Sequence, residues 1–171
     1  TGSGRMMNLF VVAKDIADRL AAIFLKDTSG RRPVYGGTKT FQDCLSWEPE
    51  RGLLFGIRRR EPGSPLRWLR APTAGFIFHP GNAYEENGRI LFDACTYLRG
   101  DNLLKESLAR WRSGRSWEGE WGARPFLYEI DPAADTVRER QLDDRGAEFP
   151  RLDDRLVGYK NRFGYAVRLN R

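Results

Sequence analysis

Ala74-Gly75-Phe76-Ile77-Phe78-His79-Pro80-Gly81-Asn82-Ala83-Tyr84-Glu85-Glu86-Asn87-Gly88-Arg89-Ile90-Leu91-Phe92-Asp93-Ala94-Cys95-Thr96-Tyr97 is two apolar runs on either side of Glu86-Asn87-Gly88. Asn-Gly suits a two-residue turn that needs positive φ at both central positions, so residues 74–84 and 89–97 are predicted to pair as a β-hairpin. Outward from it, short apolar runs bounded by turn residues recur at 52–58, 125–130, 136–142 and 162–169. Asp131-Pro132-Ala133-Ala134-Asp135 is expected to turn the second of these into the third. Residues 102–111 have helical spacing, with Asp101 or Asn102 as the cap. Residues 28–40 are turn-rich and read as a loop. Residues 9–25 fit a helix through Val12, Ile16, Leu20 and Phe24 as well as an irregular strand pair. Even short strands without βαβ alternation define an all-β class: sandwich, barrel or propeller.

The chain has 171 residues, 40% hydrophobic and 30% charged, which suits one domain or part of a larger one. No apolar run approaches the length of a membrane span, and the small, polar Thr1-Gly2-Ser3-Gly4 does not begin a signal-peptide pattern. Cys44 and Cys95 are too few for a disulfide framework and are expected to be reduced thiols in a cytoplasmic protein. The formal charge is +6, with Arg51, Arg58, Arg59, Arg60, Arg67 and Arg70 crowded around Glu61. Such a patch suits an anionic membrane surface or nucleic acid, although charge runs are more often solvated surface. A nucleic-acid domain is disfavoured, because the Gly-aromatic words of an RNA-binding sheet and a recognition-helix pattern are both missing.

His79 is the only histidine. Simple strand alternation would put it on one face with Ile77 and Gly81, and Phe76 and Phe78 on the other. A lone strand histidine is more often structural than a ligand, and an isolated Glu148 beside Arg145 and Arg151 more often a surface carboxylate. Asn82 and Tyr84 read as hairpin architecture, and Phe76, Phe78 and Trp47 as core.

The words around His79 change that reading. Phe78-His79-Pro80-Gly81-Asn82-Ala83-Tyr84-Glu85, followed by Ile90-Leu91-Phe92-Asp93, resembles the segment of the carotenoid oxygenase family that reads Phe-His-His-x-Asn-Ala-Tyr-Glu before a strand ending in Asp. Glu148-Phe149-Pro150-Arg151, Gly158 and Arg162-Phe163-Gly164-Tyr165-Ala166 are similar to the family's later words, and Trp47-Glu48-Pro49 with Phe55-Gly56-Ile57 to an earlier one. The resemblance spans roughly residues 45 to 168. It implies a seven-bladed β-propeller with Fe(II) on its axis, held by four histidines, and O2-dependent cleavage of a double bond in a carotenoid, apocarotenoid or stilbene. Carried over, His79 takes the place of an iron ligand and Glu148 that of the glutamate bonded to a ligand histidine.

On this reading residues 28–171 are a partial propeller of several consecutive antiparallel blades, and residues 1–27 a poorly matched N-terminal segment. Pro80 replaces the second histidine of the family's pair. Aligned with the family's Met-His-Asp-Phe-Ala, Met6-Met7-Asn8-Leu9-Phe10 puts Met7 where a ligand histidine belongs. The iron site is therefore incomplete within the chain. Two hypotheses follow: a fragment of an iron dioxygenase acting on a hydrophobic polyene or stilbene, or a non-catalytic truncated propeller serving as a scaffold or binding module.

Overall fold

The computed structural model describes residues 7–10, 47–98, 113–114 and 122–168. The readings made for residues 11–46, including the loop at 28–40 and Cys44, and for the helix at 102–111 lie outside the described residues. Among the described residues, nine strands form three antiparallel sheets. The first holds β1 (Met7–Phe10), β2 (Leu54–Arg59) and β3 (Arg67–Arg70) in that order. The second is a four-stranded meander in chain order: β4 (Phe76–Glu86), β5 (Arg89–Tyr97), β6 (Arg124–Asp131) and β7 (Thr136–Gln141). The third pairs β8 (Ala147–Arg151) with β9 (Tyr165–Arg168). Helix among the described residues is confined to 3-10 turns at Pro49–Arg51 and Asp154–Leu156. A four-stranded antiparallel meander is the unit a propeller repeats as a blade.

Turn chemistry fixes the central sheet. Asn87 and Gly88 have φ of 51° and 77°, closing the β4–β5 hairpin with Glu86 opposite Arg89. At the next turn the Asp131 carboxylate accepts the backbone N–H groups of Ala133 and Ala134, both at 3.0 Å, and brings Asp131 opposite Thr136.

The first and second sheets pack through one core. Leu53, Phe55, Ile57, Leu69 and Ala71 meet Phe92, Phe126, Tyr128, Ile130 and Val137, all buried. Phe55 sits at its centre, 5.8 Å from the Phe92 ring and 4.9 Å from that of Tyr128. Burying each such side chain contributes about 1.5–3 kcal/mol. The Tyr128 hydroxyl is satisfied by Thr96 Oγ1 at 2.8 Å, as a buried polar group requires.

Two strands absent from the sequence reading are β3 and β8. In β3 only Leu69 is buried among arginines, and in β8 the one buried residue is Glu148, so neither shows an apolar alternation. A second difference concerns His79. The β4–β5 ladder passes from Ile77 opposite Thr96 directly to His79 opposite Cys95, and from Pro80 opposite Ala94 to Ala83 opposite Phe92. Each step adds one residue to β4, a β-bulge. The first bulge resets the alternation: Ile77 packs on the main core, while His79 turns to the face of Cys95 and Tyr97, the side that Phe76 and Phe78 also occupy. At the second, Gly81 leaves room for a carboxylate. A Cβ there would lie 2.1 Å from Asp93 Oδ2, and Asp93 Oδ1 accepts the Asn82 N–H at 2.9 Å.

Candidate metal-ligand site

β8 runs across the start of the central sheet and brings Glu148 to His79, 69 residues away in sequence. His79 Nδ1 lies 3.0 Å from Glu148 Oε2, with the imidazole half-buried and the carboxylate 3% exposed. The same Oε2 accepts the backbone N–H of Phe149 at 3.1 Å. An oxygen already accepting one N–H acts as acceptor toward the ring as well, so the proton belongs on Nδ1 and the Nε2 lone pair is left available.

A third bulge builds this contact. In the β8–β9 ladder Glu148 faces Val167 and the next pair is Arg151 with Tyr165. Phe149, inside the bulge, has φ of 55°, a conformation that costs a bulky residue about 1–3 kcal/mol. It folds the Phe149 N–H back onto its neighbour's carboxylate and sets the Phe149 ring against the imidazole, centroids 4.7 Å apart. Phe149 itself is half exposed. Phe78, expected in the core, is 39% exposed and stands edge-on to Phe76 and Tyr97. Aromatic side chains thus wall the open side of His79.

Beneath the pair the surroundings are polar and buried. Among the described residues no hydrogen bond reaches the buried Glu148 Oε1. The Tyr97 hydroxyl belongs to the same buried surroundings: its pKa is raised, first by burial and then by Glu148. Burial foremost, followed by the charges of Glu148 and Asp93, pushes the Cys95 thiol up to about 12. Cys95 is a free, buried thiol. Asp93 is raised by burial, against the opposing pull of the Asn82 N–H.

Asn82, 3% exposed, locks the far end of β8's connection to β4. Its amide donates to Tyr159 O at 2.9 Å, Asn161 Oδ1 at 2.7 Å and Leu156 O at 3.3 Å, and its Oδ1 accepts from Gly158 N and Ala83 N. Asn82 is thus architectural, as its residue type suggested, but it serves the 156–161 loop rather than its own hairpin turn.

The structure therefore brings His79 and Glu148 together. Met7 lies in β1 opposite Arg59, in a different sheet from His79. Among the described residues there is no group of three or more His, Cys, Asp and Glu side chains able to hold a metal. Phe149, Tyr97 and Asn82 were not singled out for the site from sequence. The Gly81-Asn82 pair within a strand was the one local sign of the second bulge.

The family model for retinal pigment epithelial membrane protein matches residues 18–171. Isoeugenol monooxygenase of Pseudomonas putida is 34% identical over 130 residues, 74% of this chain and 26% of that protein. Apocarotenoid-15,15'-oxygenase of Synechocystis is 30% identical over 147 residues, 84% of this chain and 29% of that protein. Among solved structures, cobalt-substituted Synechocystis ACO superposes with a TM-score of 0.63 at 27% identity, over 78% of this chain and 27% of that one. These are the marks of an oxygenase fold. The chain belongs to the retinal pigment epithelial membrane protein family, that of the carotenoid cleavage oxygenases. It spans between a quarter and a third of the length of the two relatives described.

Proposed function

We propose that this chain is part of a seven-bladed propeller dioxygenase in which His79 is one ligand to Fe(II), and that the complete protein uses O2 to cleave a carbon–carbon double bond in a carotenoid, apocarotenoid or stilbene-type substrate. The observation that carries the proposal is the 3.0 Å contact between His79 Nδ1 and the buried Glu148. A carboxylate on one ring nitrogen fixes tautomer and orientation and makes the other nitrogen the better ligand. Neutral imidazole suits Fe(II). Iron, when bound, would supply the activation of O2. The chain's own contribution is to hold Nε2 free of its proton, to orient the ring from below through Glu148, and to wall its open side with Phe149 and Phe78.

One histidine provides one ligand, so the remaining ligands come from polypeptide outside these 171 residues, and the chain alone does not turn over. The competing reading, a scaffold without catalysis, is favoured by that same single histidine. The test is to titrate the purified chain anaerobically with Fe(II) and with Co(II), following cobalt by its visible spectrum, and to assay cleavage of an apocarotenoid, isoeugenol and a stilbene. The expected result is weak metal binding that disappears in His79→Ala and falls about 10- to 100-fold in Glu148→Gln, with no product. Metal binding indifferent to His79→Ala would overturn the ligand assignment. His79-dependent stoichiometric iron with turnover would show the site to be complete within the chain.

A further inference from the structure

Two bulges bracket His79 on β4, and the second has a support of its own. Between Pro80, opposite Ala94, and Ala83, opposite Phe92, two residues of β4 face the single residue Asp93. A bulge of this kind leaves a backbone N–H without its ladder partner. Here Asp93 Oδ1 accepts that of Asn82 at 2.9 Å. The other oxygen, Oδ2, fills the space that a side chain on Gly81 would need, 2.1 Å from where its Cβ would stand. β5 pairs with β6 without a register shift, so Asp93 and Cys95 leave β5 on the same face, and Cys95 is the residue opposite His79. The carboxylate is thus fitted to the backbone directly after Pro80, on the side of the sheet to which the imidazole turns.

Asp93 is half-buried, and among the described residues its hydrogen-bond partners are backbone N–H groups, that of Asn82 and its own, with no lysine or arginine paired to it. A carboxylate drawn out of water without a counter-ion is unfavourable unless such donors hold it, so its place in the fold is tied to the bulge. Asn82 in turn joins the two halves of the His79–Glu148 pair. Its backbone follows His79 by three residues. Its side chain holds Gly158, Tyr159 and Asn161, in the connection that leaves β8, the strand of Glu148. A shift of Asn82 therefore reaches both partners of a hydrogen bond 3.0 Å long, and such bonds weaken steeply when the donor is turned away from its acceptor.

We propose that Asp93 is a positioning residue for the His79–Glu148 pair: its carboxylate fixes the bulge at Gly81-Asn82 and, through it, the direction of the imidazole. The consequence for metal binding rests on the reading of His79 as a ligand, whereas the effect on the ring is measured without metal.

The experiment compares Asp93→Ala, Asp93→Asn and Val137→Ala in the whole chain. Asparagine keeps an oxygen for the Asn82 N–H and alanine keeps none, while loss of the buried Val137 on β7 loosens the core away from His79. Long-range proton–nitrogen NMR of the single imidazole reads its tautomer, and titration with Co(II) reads affinity. Circular dichroism checks folding; if Asp93→Ala does not fold, Asp93→Ser, whose hydroxyl is one bond too short to reach Asn82, takes its place. In Asp93→Ala the ring is expected to pass from the Nδ1–H form to a mixture with Nε2–H, and Co(II) binding to fall about tenfold. Asp93→Asn should stay near the wild type in both, and Val137→Ala should lose stability with its ring unchanged. A ring in Asp93→Ala as purely Nδ1–H as in the wild type, a mixture of the same size in Val137→Ala, or an Asp93→Asn as damaged as Asp93→Ala overturns the positioning role. Wild-type Co(II) binding that survives His79→Ala overturns the ligand reading instead, and the tautomer result then decides the role of Asp93 alone.

Discussion

Replacing Asn82 with alanine should release the 153–161 segment while leaving the central sheet folded. Asn82 accepts two hydrogen bonds and shares its two amide hydrogens among three acceptors, from a site 3% exposed. Each such bond contributes about 1 kcal/mol net, and an unsatisfied buried partner costs more. The Leu156 contact at 3.3 Å is the weakest, and water can reach the loop side of Tyr159 and Asn161. The expected loss is therefore about 3–4 kcal/mol, a large share of the roughly 5–15 kcal/mol that holds a domain together. Asn82→Asp keeps the acceptor for Gly158 and Ala83 but points a charged oxygen at three other oxygens, so it should be at least as damaging.

The loop offers its own assay. Arg151, Arg155, Lys160 and Arg162 are trypsin sites on or beside it. When opening is fast relative to cleavage, the rate follows the opening equilibrium, and 3 kcal/mol less protection means about 100-fold faster cutting. Lys160 is also bridged to Glu86 at 2.6 Å, an exposed pair expected to contribute well under 1 kcal/mol; Lys160→Ala should therefore move the rate at most a fewfold. Cleavage in Asn82→Ala within about threefold of wild type, with unchanged denaturant stability, would refute the claim that Asn82 holds this loop.

Three further outcomes are expected. Because His79 is the only histidine, long-range proton–nitrogen NMR at mildly alkaline pH should show one imidazole protonated at Nδ1, and Glu148→Ala should shift it toward the Nε2–H form; an Nε2–H ring in the wild type would contradict the assigned tautomer. Gly81→Ala drives a methyl to 2.1 Å from Asp93 Oδ2 and should destabilise the chain by about 1–3 kcal/mol, part of which Asp93→Ala should restore; additive losses in the double variant would show no clash. In a Cys44→Ser background, Cys95, with its thiol pushed up to about 12, should react with a thiol reagent at pH 8 roughly a thousandfold more slowly than a free cysteine until the protein unfolds; prompt labelling of folded protein would place it at the surface.

The fold was legible where one physical signal acted alone. Asn87-Gly88 demanded positive φ twice and got it, and β5 begins at Arg89 and ends at Tyr97 as its apolar run does. β3 and β8 were illegible because the inward residue of one, Leu69, is the only buried residue in a four-residue strand that begins and ends on arginine, and that of the other is a glutamate. Strand identity there comes from pairing with a neighbour, which local composition does not report. The contact between His79 and Glu148 came from family words and not from pattern, since a buried carboxylate beside Arg145 and Arg151 looks like any surface glutamate. Nor does anything in Glu148-Phe149-Pro150 announce a left-handed phenylalanine: the residues that usually accept positive φ are glycine and asparagine.

The irregularities are not spread evenly, and their distribution carries an argument. β5–β6 and β6–β7 run without a register shift, and their faces supply much of the main core. The bulges fall instead on β4 and β8, the two strands that meet at His79. One turns the imidazole away from the core and toward Glu148; another puts Asn82 where it can seize the loop that follows β8; the third forces Phe149 into positive φ so that its N–H and its ring both serve the pair. Each is unfavourable locally, and each would be removed by a simpler sequence with regular alternation. Regular pairing on β5, β6 and β7 supplies the stability against which these departures are tolerated. A chain whose only task was to stack sheets would have no use for three bulges, a strained aromatic residue and a buried carboxylate around its single histidine. Their concentration there is the structural reason to look for the chemistry at Nε2.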